Sequence, residues 1–198
     1  FEEGAMTEPV ACCLHGIDLC EITPSSTVMV IGGGMIGLLM VQLARLAGAY
    51  RVILLEPVEG KREMGKKLGA DLCIDPISQD VKAVLKEENI DRINVVIECA
   101  GLKQTIRQAI DLAGKYSVVM MFGLTKPDDE VSIKPFEIFQ KEVVLKASFI
   151  NPYTQQRALD LINSKKIDVS SMVSEIRGLS GLEEVLSSAE LRRTGKFI

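Results

Sequence analysis

The sequence predicts an α/β domain, a doubly wound sheet of parallel strands with helices on both faces. Three observations carry this. Short apolar runs rich in β-branched residues alternate with stretches of about ten residues that have helical periodicity. The strand candidates are continuously apolar instead of alternating in and out, as strands covered on both faces must be. Glycines also punctuate the joins, at Gly32, Gly33, Gly34, Gly48, Gly69 and Gly114, where helices end or the chain turns tightly.

Taken in order, residues 5–19 form an apolar helix ahead of the first strand, 27–31, which follows Pro24, Ser25 and Ser26. The helix over 35–47 is apolar on most sides and ends at Gly48. Residues 51–55 make the second strand, 59–68 a polar-faced helix and 71–74 a short strand. A helix over 81–87 leads to a strand over 94–98. A helix over 102–112 then leads to strands over 116–122 and 143–149. Right-handed crossovers between parallel strands fix most of the topology. Beyond 150 the pattern is less regular: a helix over 154–163, a strand over 172–176, a helix over 182–189 and a terminal strand at Gly195-Lys196. The division that follows is 1–22 as a linker helix, 23–150 as the sheet domain and 151–198 as a returning segment.

Composition limits what such a domain does. Of 198 residues 47% are apolar and 25% charged, the balance of a globular domain with a sizeable core. The net charge of −4, with no basic run, argues against nucleic acid or an acidic membrane surface as partner. The longest apolar stretch, 28–40, is interrupted by glycines and falls short of a bilayer span. Nothing at the start resembles a signal peptide, and both ends read as cut from a longer chain. The five cysteines, an odd number without a C-x-x-C pair, point to reduced thiols in the cytoplasm. A single histidine, His15, leaves few ligands for any zinc site within the chain.

Gly32-Gly33-Gly34-Met35-Ile36-Gly37 matches G-x-G-x-x-G between a strand and a helix, the context that turns this pattern into a dinucleotide site. Gly32 permits the tight turn, Gly34 admits the pyrophosphate to the backbone, and Gly37 lets helix and sheet approach. The amides of Met35 and Ile36 then face the phosphates at a helix N-terminus. Glu56 closes the second strand, where a carboxylate accepts from the adenosine ribose hydroxyls and repels a 2′-phosphate. This selects NAD over NADP. Lys61 and Arg62 are either ribose contacts or solvated charges on a helix face.

Further motifs agree in order along the chain. They are Thr7-Glu8-Pro9-Val10-Ala11, Val30-Ile31 with the glycine turn, Lys66-Lys67-Leu68-Gly69-Ala70-Asp71 and Val96-Ile97-Glu98-Cys99-Ala100-Gly101. Met121-Phe122-Gly123, Phe149-Ile150-Asn151-Pro152-Tyr153 and Gly195-Lys196 complete the set. With them the sequence resembles the medium-chain, zinc-dependent alcohol and polyol dehydrogenases, especially the sorbitol and threonine dehydrogenase branch. The resemblance implies a Rossmann domain for 23–150. It implies pieces of a catalytic, GroES-like β-barrel domain or linker in 1–22 and 151–198. That second domain supplies the zinc ligands, so zinc belongs with the full-length protein and this chain alone would be inactive.

The implied reaction is oxidation of a secondary alcohol or polyol with hydride passing to NAD. Glu8 matches a glutamate beside the zinc and its water, and Cys12, a turn later, faces the nicotinamide. Cys99, Ala100, Gly101, Phe122, Gly123, Leu124 and Ser148 match positions lining the nicotinamide half. Cys12, Cys13, Cys73 and Cys99 also read as small buried hydrophobes, and His15 as packing. The family pairs nucleotide domains edge to edge, so 143–149 is a candidate interface for a dimer or tetramer. Two alternatives remain: a zinc-independent quinone or enoyl reductase using NADPH, and a non-catalytic module that senses a dinucleotide.

Overall fold

The computed structural model describes residues 2–188 and 198. After a short α1 (Glu2–Ala5) and α2 (Thr7–Leu19), strands and helices alternate. These are β1 (Thr27–Ile31), α3 (Met35–Leu46), β2 (Arg51–Leu55), α4 (Glu59–Lys67), β3 (Leu72–Ile74), α5 (Val81–Glu87), β4 (Val95–Glu98), α6 (Lys103–Leu112), β5 (Val118–Met121), α7 (Pro135–Lys141) and β6 (Val144–Ala147). Then follow α8 (Gln155–Asn163) and α9 (Leu182–Ser187). The six strands form one sheet in the order β3-β2-β1-β4-β5-β6, every pairing parallel. The doubly wound sheet read from the sequence is therefore present, with its topological switch between β1 and β4.

Burial on both faces explains why the strands are continuous apolar runs. Val28, Val30, Val52 and Leu54 join a core with α2, α3 and α8. Met29, Ile31, Ile53 and Leu55 join a second core, with α5 and α6, on the other face. Neighbouring residues of one strand thus serve opposite layers, as the period of two requires. The strands also end flush. Ile74, Leu55, Ile31, Glu98, Met121 and Ala147 form one row across the carboxyl edge of the sheet.

Several boundaries differ from the sequence reading. The helix over 5–19 is broken at Met6, a fully buried residue that separates α1 from α2. The last two strands shorten to four residues each because only these pair in the ladder. The helix α7 had no counterpart in the sequence reading: its aromatic residues Phe136 and Phe139 face outward, so it lacks the inward apolar stripe that betrays a surface helix. The strand read over 172–176 is instead a 3-10 turn at Ser170–Met172 followed by a single bridge, in which Glu175 accepts from and Arg177 donates to Ile198. The strand read at Gly195-Lys196 lies outside the described residues.

The segment after β6 returns to the first core. Ala158, Ile162, Ile167, Val169 and Met172 are buried there. The Thr154 hydroxyl donates to the Ala11 carbonyl, and buried Gln42 exchanges two hydrogen bonds with the Asp168 backbone. Among the described residues no helix is long and apolar enough to cross a membrane. Leu39, fully buried in α3, gives a direct check on this core. Leu39→Ala should cost about 2–5 kcal/mol, read as a lower urea midpoint at unchanged slope.

Candidate dinucleotide site

The glycine turn is built by close approach. Gly32 has φ +99°, and its amide donates to the Leu55 carbonyl, tying the end of β1 to β2. A Cβ at Gly37 would stand 1.7 Å from the Gly32 carbonyl oxygen, so only glycine lets α3 begin this near the sheet. Gly34 is the opposite case: it caps α3 in an extended conformation, and a Cβ there meets nothing within 4 Å. The amides of Met35 and Ile36 follow directly, and helix geometry leaves them without intrahelical carbonyls. The spacing fits a pyrophosphate lying against the first turn of α3.

Glu56 lies where the sequence reading put it, just past β2, and is buried. Its carboxylate accepts from the Gly33 amide at 2.6 Å and from the Val58 amide at 2.9 Å. A Cβ at Gly33 would press on the Glu56 side chain at 2.8 Å, so the middle glycine of the turn serves this contact. The carboxylate is thereby fixed beside a cavity of about 740 Å³, lined among others by Leu55, Glu56, Ile77, Val81, Leu102 and Thr105. An apolar cleft with a fixed acceptor at its mouth suits an adenosine moiety. Arg62 does not face that cavity as a free cation: its guanidinium donates to the Glu56 and Pro57 carbonyls and lies 3.7 Å from Asp75. Lys61 sits half-buried in the first turn of α4.

On the other side of the switch point the remaining predicted residues gather at the ends of β4, β5 and β6. Ala100 and Gly101, the latter at φ +68°, donate their amides to the Glu98 carboxyl group. Phe122 and Gly123 donate theirs to the Glu98 carbonyl oxygen. Leu124 is almost fully exposed. The Phe122 ring packs inward against α2, where a Cβ on Gly16 would meet it at 2.8 Å. The Cys99 thiol also turns to the first core, and burial pushes it well above the usual thiol range. Phe122 and Cys99 can therefore offer a ligand their backbone more readily than their side chains. The Ser148 hydroxyl is buried and has no partner among the described residues.

Glu8 opens α2 on an exposed face. Cys12 donates to its carboxylate at 3.0 Å, and Asn151, from the loop after β6, donates to the same oxygen at 3.2 Å. Burial, with Glu8 adding to it, pushes the Cys12 thiol up to about 11. Among the described residues no three His, Cys, Asp or Glu side chains stand together as a metal site. Asn151 and Glu98 stand in the motifs that carry the resemblance, but the sequence assigned neither a role. Asn151 meets Glu8 only through the fold, whereas a glutamate ending the apolar run Val95-Val96-Ile97 was a readable signal. Glu98 is fully buried, yet its Oε2 has no partner among the described residues. An acceptor left unmade in this way costs about 1–3 kcal/mol.

Residues 35–164 match the family model described as zinc-binding dehydrogenase. This chain belongs to that family. D-arabinitol dehydrogenase 1 of Uromyces fabae is 30% identical over 99% of this chain and 57% of its own length. Sorbitol dehydrogenase of Halalkalibacterium halodurans is 33% identical over 86% of this chain and 50% of its own. A dehydrogenase structure from Sinorhizobium meliloti 1021, bound to NADP, superposes with a TM-score of 0.91 at 41% identity, over 94% of this chain and 55% of the other. The chain spans about half the length of the relatives it matches.

The two glycines of the turn that differ most make a paired test. Gly34→Ala should leave stability within about 0.5 kcal/mol, since the added methyl enters open space, while abolishing saturable NADH binding. Gly37→Ala should lose about 4 kcal/mol or more through its clash with the Gly32 carbonyl. Thermal melts and a binding titration on each variant read both effects. A Gly34→Ala chain that binds NADH normally would remove the pyrophosphate from this turn.

Proposed function

We propose that this chain is the NAD-binding part of a zinc-dependent dehydrogenase that oxidises a secondary alcohol or polyol. The observation that carries the reading is the buried Glu56 carboxylate, held by Gly33 and Val58 at the mouth of the adenosine cleft. Bound NAD supplies the hydride acceptor. The chain's own residues bind and orient: the first turn of α3 takes the pyrophosphate, Glu56 the ribose hydroxyls, and the backbone around Ala100, Gly101, Gly123 and Ser148 the nicotinamide half. The polyol substrate class rests on relatives named as arabinitol and sorbitol dehydrogenases.

The described residues do not form a zinc site. We therefore assign the zinc to the full-length protein, with Glu8 beside it. NADP in the Sinorhizobium meliloti structure favours a second reading, a chain that accepts the 2′-phosphate. Against it stand the charge of Glu56 at the ribose position and the commitment of Arg62 to two carbonyls and Asp75. The five free cysteines support a reducing, cytoplasmic setting.

The outer edge of β6 supports an assembly of like chains. Val144 on the edge strand is exposed, as are Phe136 and Phe139, which stack with ring centres 6.4 Å apart on the preceding helix. A parallel-sheet edge with no ladder partner among the described residues, flanked by exposed aromatics, suits pairing with a second copy.

Calorimetric titration with NADH and NADPH checks the cofactor. NADH should bind more tightly, and Glu56→Ala should reduce that preference by about tenfold or more. NADPH binding equal to or tighter than NADH would overturn the assignment. For the assembly, sedimentation velocity should find a dimer or tetramer, and Phe139→Glu should shift it to monomer. A native chain that stays monomeric at high concentration would rule the edge out.

A further inference from the structure

Glu98 closes β4 in register with Ile31 and Met121, inside the row where the sheet ends. Beyond that row the chain has no ladder to satisfy its amides. Those of Ala100 and Gly101 turn back to Glu98 Oε1 at 2.8 and 2.9 Å, and the Thr105 hydroxyl adds a third donor at 2.7 Å. The Glu98 main-chain oxygen takes the Phe122 and Gly123 amides at 2.9 and 2.8 Å. One residue therefore gathers the loops that follow both β4 and β5.

The two loops touch backbone to backbone. A Cβ on Gly123 would stand 2.2 Å from the Gly101 amide nitrogen and 2.7 Å from Glu98 Oε2, and one on Gly101 would stand 2.5 Å from the Leu124 carbonyl oxygen. Glu98 Oε2 is pressed into this contact, buried and without a partner among the described residues. A native structure tolerates such a group where its surroundings over-determine it, which is characteristic of functional sites.

Glu56 fixes the adenosine end on the β2 side of β1, and the phosphates lie over α3, so an extended dinucleotide continues across the switch point to β4 and β5. Resting on that reading, we propose that Glu98 is a positioning residue for the nicotinamide half. Its carboxyl and carbonyl groups hold the loops 99–101 and 122–124 in the one relative placement that forms the floor under the ring. It acts through these loops, not by touching the cofactor.

The test compares NADH with ADP-ribose, which lacks the nicotinamide, on the native chain and on Glu98→Gln and Glu98→Asp. Fluorescence of the bound dihydronicotinamide is recorded alongside. Glu98→Gln keeps the shape but places an amide NH2 where a carboxyl oxygen meets Gly123 or the Ala100 and Gly101 amides, so NADH binding should fall about tenfold while ADP-ribose stays within about twofold. The fluorescence of bound NADH should move toward that of free NADH. Glu98→Asp, which draws the carboxyl group back by one methylene from the Ala100 and Gly101 amides, should shift NADH the same way by about threefold. Equal loss of both ligands, or loss of neither, would overturn the proposal by showing that Glu98 only supports the fold. If Glu98→Gln does not fold, Glu98→Asp decides by the same criterion. A native chain that binds neither ligand overturns the dinucleotide reading, and the role of Glu98 with it.

Discussion

The contact between Gly37 and the Gly32 carbonyl sets the geometry of the nucleotide side. A methyl group at 37 would stand 1.7 Å from that oxygen, so the start of α3 can lie on the turn only with hydrogen in that place. Because α3 then packs its whole length on the first core, a small displacement at its start would move Leu39, Met40 and Leu43 together. Interiors at crystal-like density do not absorb such a shift locally. The position of the helix N-terminus over the switch point is therefore a consequence of core packing as much as of the turn, and the first turn of α3 inherits its rigidity from both.

Two glutamates then do for the carboxyl edge what ladder bonds do for the strands. Each sits at the end of a central strand, Glu56 after β2 and Glu98 at the end of β4, and each turns its side chain back to collect amides the sheet cannot reach. The physical reason is the same in both places. Loops at a ligand site have irregular backbone with orphan donors, and an ionisable acceptor satisfies several of them at once. The two differ in what remains. Glu56 opens beside a cleft, where its second lone pairs can meet hydroxyl groups. Glu98 is closed in, which suits it to fixing backbone and not to contacting a ligand.

This contrast marks what was legible in the sequence. The strands and α3 were readable because period and punctuation agreed, and Glu56 because a glycine turn and a second strand specify its position in advance. Glu98 announced itself only as a charge at the end of an apolar run. Its use depends on where the next three amides point, which propensity does not encode. Asn151 was unreadable as a partner of Glu8 because the contact crosses the whole sheet domain in sequence. The outward faces of Phe136 and Phe139 hid α7 for a related reason: periodicity reveals a helix through the core it packs on, and that side of α7 is shallow.

The division of labour between this chain and the chemistry follows from the same placements. The glycine turn, Glu56 and the loops after β4 and β5 are made of backbone and buried carboxyl groups, all held by the two cores. The corner of α2 that carries Glu8 and Cys12 is different: exposed, supplied by one helix turn and one loop residue, and without a third ligand type among the described residues. The Cys12 thiol donates to Glu8, and burial pushes that thiol up to about 11. A lone carboxylate at an exposed helix start can accept a hydrogen bond or sit beside a cation bound elsewhere, but it cannot hold one firmly by itself. The corner of α2 thus differs in kind from the carboxyl edge of the sheet, where buried carboxyl groups gather several backbone amides each.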